Sequence, residues 1–331
     1  MYDVVTFGSA TRDLFVESKN IKVIQTKESI TGKAICLDLG SKIKIDNIFF
    51  ATGGGGTNSA ATFSKQNLKT AYVGRIGSDI GAKEIKEELK RLKVDQYLTT
   101  DKEKQTPYSI IIPVSRKGRT ILTRRGASHE LKKRDIPLKK IKARWFYISG
   151  LSGNSAKTLP YIVNFAKKNN IKIALDPSST QLRGDLAEFK KILSKIDVFK
   201  LNQEEAARLT KIPYKKEKKI FKKLDKIVPG IVAITRGSKG VMVSDGQHIY
   251  KAGIFKEKKY IDRTGAGDAF GSGFLSALIK TNNIKEAIRL ATANGTAVVE
   301  EMGAKEGLLT QERFKKEKRW KNLKIKKIKI N

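Results

Sequence analysis

The sequence predicts an α/β fold: three layers, with a central, mostly parallel sheet covered by helices on both faces, and a small β-sheet beside it. Three observations carry this. From Trp145 onward, short apolar runs alternate with amphipathic helical stretches, the pattern of successive βαβ units. Several of those runs end in small or polar groups, Leu175-Asp176-Pro177, Leu201-Asn202 and Thr235-Arg236-Gly237, and in such sheets chemistry gathers at the carboxyl ends of the strands. Before residue 126, strand-rich pieces break the alternation and read as the separate small sheet.

Val4 to Phe7 is the first strand and ends at Gly8-Ser9. A polar, irregular segment follows, and Ala34 to Phe50 then alternates loosely, as strands do. Ala51 to Gly56 is a sharp glycine break, and Thr57 to Asn67 reads as a helix. Thr70 to Val73 is a strand and Ala82 to Leu92 a charged amphipathic helix. Pro107 to Val114 and Arg119 to Thr123 read as two strands around a turn at Arg116-Lys117-Gly118. The main-sheet strands are Trp145 to Ile148, Ile171 to Leu175, Val198 to Leu201 and Ile231 to Thr235. Helices over Ala156–Lys168, Leu186–Leu193, Glu204–Leu209 and Ile220–Ile227 separate or follow them. Val241 to Ser244 is strand-like, and Asp268 to Lys280 is an apolar helix. No internal repeat is visible.

With 39% hydrophobic residues among 331, the chain can bury a core, which excludes wholesale disorder. Its 68 basic residues against 33 acidic ones give a net charge of +35. Lysines are scattered along the whole chain, often beside glutamates, as in Lys83-Glu84-Ile85-Lys86-Glu87-Glu88. The excess therefore reads as solvated helix faces and bulk composition, not as a nucleic-acid surface; no reading module or set of stacking aromatics accompanies it. The stretch Lys315 to Asn331 is the exception, open to three readings: a last strand, a surface tail or a weak polyanion contact. The single cysteine, Cys36, excludes an internal disulfide framework and fits a reducing compartment. No apolar run approaches the ~20 residues of a membrane helix, and the N-terminus has no signal pattern. The expected location is the cytoplasm, without membrane attachment.

Three glycine loops bear on chemistry. Gly53-Gly54-Gly55-Gly56-Thr57-Asn58 lacks the lysine of a Walker loop and the spacing of a dinucleotide fingerprint. It is either a flexible turn or, because a helix begins at once, a place where backbone N–H groups and Asn58 meet hydroxyls or anions. Thr235-Arg236-Gly237-Ser238-Lys239-Gly240 is a β-turn or a phosphate contact. Asp262-Arg263-Thr264-Gly265-Ala266-Gly267-Asp268 is the most informative stretch. Small residues there leave a helix N-terminus bare, so its unpaired N–H groups form an anion hole. Asp268 is a favoured N-cap residue, but a plain cap does not call for small residues before it and Gly271 and Gly273 after it. A carboxylate beside an anion hole is what a phosphoryl-transfer base requires.

The first and third of these loops resemble, in order and in separation, the two signatures of the ribokinase-like PfkB carbohydrate kinases, and the resemblance runs from Gly8-Ser9 to about Leu309. It implies one catalytic domain over residues 1–331, with lid segments of approximately 14–50 and 96–126 and the basic tail 315–331. It implies ATP-dependent phosphorylation of a hydroxymethyl group on a sugar or nucleoside. Asp268 is then the catalytic base, and Gly265, Ala266 and Gly267 are the anion hole. Asp13, Gly54, Gly55 and Asn58 bind the acceptor. Asn202 and Glu205, in an Asn-x-x-Glu element, organise phosphate and Mg²⁺, Glu205 through water; a helix-start capping role is the other reading of this pair. Thr235, Gly237, Gly240 and Asn294 hold the nucleotide, and Asp262, Thr264 and Gly303 mark a monovalent-cation site of the K⁺ type. A homodimer through the lid edges is also expected.

The acceptor's charge is the open choice. Arginine forks suit a phosphorylated acceptor, and Arg12, Arg75, Arg116, Arg119, Arg124 and Arg125 are candidates. Arg124 and Arg125 point to opposite faces if that stretch is extended, and Asp13 favours neutral hydroxyls. The expectation is an uncharged sugar or nucleoside, with a sugar phosphate as the alternative. A non-catalytic member of the same fold is a further alternative, against which the complete third loop argues.

Overall fold

The computed structural model describes residues 1–29, 31–114 and 118–330. Its main sheet has ten strands. In spatial order the parallel part runs β13 (Ile231–Thr235), β12 (Val198–Asn202), β11 (Lys172–Asp176), β10 (Ala143–Ser149), β1 (Tyr2–Phe7), β6 (Thr70–Ile76) and β7 (Asp95–Thr100). Beyond β13, three strands join antiparallel: β14 (Val241–Ser244), β15 (His248–Ala252) and β16 (Ile325–Lys329).

Alternation along the strands builds the layers. On β10, Phe146 and Ile148 pack into one core with Ile162, Val163, Phe189, Ile192, Phe221 and Leu224. These come from α3 (Leu159–Lys168), α5 (Leu186–Leu193) and α7 (Glu217–Asp225). Trp145 and Tyr147 turn the other way and pack with Phe63, Phe270, Phe274 and Ile288. Those lie on α1 (Gly55–Lys65), α8 (Ala266–Thr281) and α9 (Ile284–Val299). Helices thus cover both faces. Among the described residues, no helix is long and apolar enough to cross a membrane.

The small sheet has the order β5 (Asn47–Gly53), β2 (Thr11–Glu17), β8 (Tyr108–Pro113) and β9 (Arg119–Arg124). Its register lines Asp13 with Ser109 and Thr123, and Phe15 with Ile111 and Ile121, on one face. Phe15, Ala51 and Ile111 form a buried cluster there, against Met302 of the main domain. A separate hairpin pairs β3 (Lys22–Gln25) with β4 (Lys33–Cys36).

Several expectations change. The segment read as irregular after Ser9 contains β2 and β3. The glycine break is shorter than expected, because β5 continues to Gly53 and the helix starts at Gly55. Residues 96–100, assigned to the lid, belong to the main sheet as β7. The basic tail holds a strand, β16, paired with β15 from His248↔Lys329 to Ala252↔Ile325. The expected turn residues Arg116 and Lys117, and the terminal Asn331, lie outside the described residues.

Candidate active site

The N-terminus of α8 organises the site. Gly265 occupies its N-cap position in the left-handed region, φ 77°, with no side chain capping the helix. A Cβ there would lie 2.5 Å from the Ala304 Cβ. The Ala266 N–H is engaged by the Arg263 carbonyl at 3.2 Å, whereas the N–H groups of Gly267 and Asp268 have no backbone acceptor among the described residues. Bare N–H groups at a helix start attract negative charge.

Asp268 stands in this first turn. Its Oδ2 accepts a hydrogen bond from Asn58 Nδ2 at 2.8 Å, across 210 residues of sequence. Its Oδ1 lies 3.3 Å from the point a Cβ on Gly55 would occupy, and that Cβ would also overlap Ser149 Oγ. The two widely separated glycine loops therefore meet at one carboxylate. Asn58 Oδ1 is buried without a partner, free to accept from a bound hydroxyl. Gly54 caps α1 at φ 95°, where a Cβ would lie 2.5 Å from the Ser9 carbonyl.

Asp13 is buried on the inner face of the small sheet, and Thr11 Oγ1 donates to its Oδ1 at 3.0 Å. A Cβ on Gly53 would overlap its Oδ2. Burial pushes the Asp13 carboxyl above its usual value, against the hydroxyls of Ser109 and Thr11 and the charge of Lys305. Between Ser9, Thr11, Ser109 and His129 lies a cavity of about 170 Å³.

A larger cavity of about 410 Å³ opens on the other side of the α8 start. Thr235, Gly237 and Gly240 line one wall; Ala266, Gly267 and Phe270 line another; Thr292, Gly295 and Thr296 of α9 complete it. Its apolar walls suit a flat ring, and its glycines lead to the bare N-terminus of α8. Asn294 does not line it, contrary to expectation. That side chain is fully buried, donating to the Ala269 carbonyl at 2.8 Å and accepting from the Leu309 N–H at 2.9 Å. Its polar groups are satisfied inside the protein, so it ties α8, α9 and the following loop together.

Asn202 and Glu205 form a reciprocal cap at the start of α6 (Gln203–Thr210). Asn202 Oδ1 accepts from the Glu205 N–H at 2.9 Å, and Glu205 Oε2 accepts from the Asn202 N–H at 2.8 Å. The capping reading of this pair is thus realised in the structure, at the carboxyl end of β12. Among the described residues, no group of three or more His, Cys, Asp or Glu side chains is arranged to hold a metal. Asp262 Oδ2 and Thr264 Oγ1 are buried without hydrogen-bond partners, and Gly303 has φ 98°.

Lys200 was not anticipated. Its ammonium pairs with Asp176 Oδ2 at 2.8 Å and lies 3.3 Å from the point a Cβ on Gly267 would occupy. Burial raises the Asp176 carboxyl to about 6 in spite of Lys200, with Asp268 adding to the rise. Burial pulls the Lys200 ammonium down, but Asp176 and the other nearby carboxylates outweigh it and leave it above its usual value. One sequence signal existed: Lys200 interrupts the apolar strand Val198-Phe199-Lys200-Leu201.

The arginines sort differently from the expectation. Arg12 is held by Glu84 through two bonds of 2.7 and 2.9 Å. Arg75 lies within β6, not after it, and bridges Asp101 and Asp135 at 2.9 and 2.8 Å. Arg119 pairs with Asp262. Arg124 and Arg125 both line the 170 Å³ cavity, because the strand ends at Arg124 and the alternation with it. Arg116 lies outside the described residues.

A parallel α/β sheet with a bare helix N-terminus and a carboxylate beside it is an arrangement suited to handling phosphate groups. The sequence model of the pfkB family carbohydrate kinases matches residues 3–311, and the chain belongs to this family. It is similar to the ribokinase of Haemophilus influenzae, 28% identical over 282 residues, covering 82% of this chain and 89% of that one. It is also similar to the ATP-dependent 6-phosphofructokinase of Thermoanaerobacterium thermosaccharolyticum, 26% identical over 317 residues, covering 92% and 89%. The fold matches that of Arabidopsis thaliana ribokinase complexed with ribose and ATP, with a TM-score of 0.79 at 23% identity, over 97% of this chain and 99% of that one. The chain is therefore a sugar or nucleoside kinase of the ribokinase-like fold. Membership implies ATP as donor and, in general, Mg²⁺.

Proposed function

We propose that this kinase transfers the γ-phosphoryl group of ATP to a hydroxymethyl group of an uncharged sugar or nucleoside. The observation that carries this is the Asn58–Asp268 hydrogen bond, which puts the acceptor loop and the anion hole on one carboxylate. Asp268 takes the proton of the acceptor hydroxyl as its oxygen bonds to phosphorus; the bond to the bridging oxygen breaks, and ADP leaves with that electron pair. The N–H groups of Gly267 and Asp268, at the turn formed by Gly265 and Ala266, hold the charge of the moving group. Lys200, anchored by Asp176 beneath Gly267, adds a fixed cation at the same place. Asp13, Gly54, Gly55 and Asn58 orient the acceptor. The nucleotide lies in the larger cavity along Thr235, Gly237 and Gly240.

Mg²⁺, when bound with the nucleotide, neutralises phosphate charge; Glu205, half-buried at the end of β12, fits an indirect role through water. Asp262 Oδ2 and Thr264 Oγ1, both buried and unpartnered, fit a monovalent cation such as K⁺ beside Gly303. The small sheet, whose inner face carries Asp13, covers the acceptor and excludes water, so that transfer outcompetes ATP hydrolysis.

A sugar phosphate is the second reading, supported by Arg124 and Arg125 both lining the acceptor-side cavity. Arg12 and Arg75 do not favour it, since acidic side chains already hold both. ATP consumption should be measured over a panel of pentoses, hexoses, nucleosides and matched sugar phosphates. Higher kcat/KM for the unphosphorylated partners supports the first reading. Consistent preference for the phosphorylated ones, lost in Arg125→Ala, selects the second. Turnover with none of them overturns both.

A further inference from the structure

The small sheet grips the anion-hole loop through an ion pair. Arg119 begins β9, and its Nη1 donates to Asp262 Oδ1 at 3.2 Å. The Asp262 side chain is 4% exposed and that of Arg119 20%. A buried carboxylate without a counter-ion is costly, and Arg119 is the ion-pair partner described for Asp262. The register places Arg119 opposite Pro113, on the face that also carries Ile121, Thr123 and Asp13. The pair therefore exists only when that face lies against the main domain.

Three residues after Asp262 comes Gly265, the N-cap of α8. Gly265 is braced from its other side by Ala304, and the stretch around Ala304 is also tied to the small sheet. Met302 packs on Phe15, Ala51 and Ile111. The buried Lys305 donates from Nζ to Thr52 Oγ1 and Glu88 Oε2, each at 2.6 Å. Both supports of the anion hole thus end on the same small sheet.

We propose that Arg119 is a positioning residue that makes the anion hole depend on docking of the small sheet. This rests on reading that sheet as the acceptor's cover and Gly265 to Asp268 as the anion hole. With the sheet docked, the guanidinium neutralises Asp262 and fixes residues 262–265, so the Gly267 and Asp268 N–H groups aim at the transferred group. With the sheet away, Asp262 loses its bond to Arg119, the loop is released, and ATP bound alone is spared hydrolysis.

The full-length enzyme and the variants Arg119→Gln, Arg119→Lys, Asp262→Asn and Arg119→Gln/Asp262→Asn decide the matter. In Arg119→Gln, kcat for transfer should fall on the order of ten- to a hundred-fold, the scale of small misplacements at a reacting centre, with both KM values nearly unchanged. Arg119→Lys should recover most of the loss, and the double variant should lose less than the two single losses combined. Wild-type kcat in Arg119→Gln, or additive losses, would overturn the proposal. Hydrogen exchange gives a readout independent of turnover: amides 262–268 should exchange faster in Arg119→Gln than in wild type, and equal rates would also overturn it. If the wild-type protein phosphorylates no acceptor, the kinase reading fails, and the exchange measurement still decides the role of Arg119. Should Arg119→Gln not fold, the comparison of Arg119→Lys with Asp262→Asn carries the same test.

Discussion

At the residue scale, the proposed mechanism rests on one carboxylate, Asp268, and one buried ion pair, Asp176–Lys200. Asp268→Asn keeps the size and the bond to Asn58 but removes the proton acceptor. It should melt and bind nucleotide as wild type does while losing transfer by ~10²–10⁴-fold, the usual worth of a general base; near wild-type turnover would remove Asp268 from the mechanism. The Asp176–Lys200 pair predicts a pH effect. Folding raises Asp176 to about 6, above the ordinary carboxylate value near ~4. Its protonated form is therefore favoured by folding: this contribution to stability is fully present below pH ~4 and is lost as pH rises through about 6. The consequence for activity runs the other way. As pH falls through about 6, the charge anchoring Lys200 disappears, and kcat should decline with an acid limb that Asp176→Asn lacks. Carbon NMR of the Asp176 carboxyl provides the check; a midpoint near ~4 would contradict the raised value.

At the element scale, the start of α8 has a backbone that only glycine adopts readily. Gly265→Ala must hold φ 77° with a Cβ 2.5 Å from Ala304. The left-handed conformation alone costs about 1–2 kcal/mol, and displaced anion-hole donors cost about 10²–10³-fold in kcat. Gly246→Ala is the control. Its φ of 84° imposes a similar backbone penalty, yet a Cβ there meets nothing within 4 Å. It should lower the melting temperature and keep kcat per folded molecule; equal kcat losses in both variants would refute a special role for the α8 start. The same contrast explains what was legible in the sequence. Strands β10 to β13 are buried on both faces, so each is a short apolar run between amphipathic helices, and each was located within two residues at either end. β2 alternates Asp13 and Phe15 inward with Arg12 and Leu14 outward and carries charges on both faces. It has no apolar run to find. The loops of Asp268, Asn58 and the glycines, which the structure brings together, stand out in the sequence because backbone freedom and helix-start chemistry leave a local mark. Lys200 was hidden by an excess of lysines, and the internal role of Asn294 depends on partners 25 and 15 residues away.

At the scale of the whole molecule, the net charge of +35 opposes self-association, so any contact between copies needs an apolar surface. The small sheet has one. Its register sets Phe50, Leu14, Ile110 and Leu122 side by side across all four strands. They lie on the face opposite Asp13 and Phe15. Phe50 is 50% exposed and Leu122 54%, and Leu14 and Ile110 between them are half-buried. We propose a second copy of the same chain as the occupant of this row, because an isologous contact sets each row against its twin. Arg12, stacked 4.6 Å above Phe50, is already neutralised by Glu84, so the row brings no unpaired charge of its own to the contact. Sedimentation velocity should find a dimer at micromolar concentration. Leu122→Glu sets a carboxylate into the apolar contact and should give monomers. Thr281→Glu, at the far end of α8, should leave the dimer intact. Added salt screens the lysines and should strengthen the apolar dimer; a contact built on ion pairs would weaken instead. A monomeric wild-type protein, or a dimer indifferent to Leu122→Glu, would remove this face from the assembly.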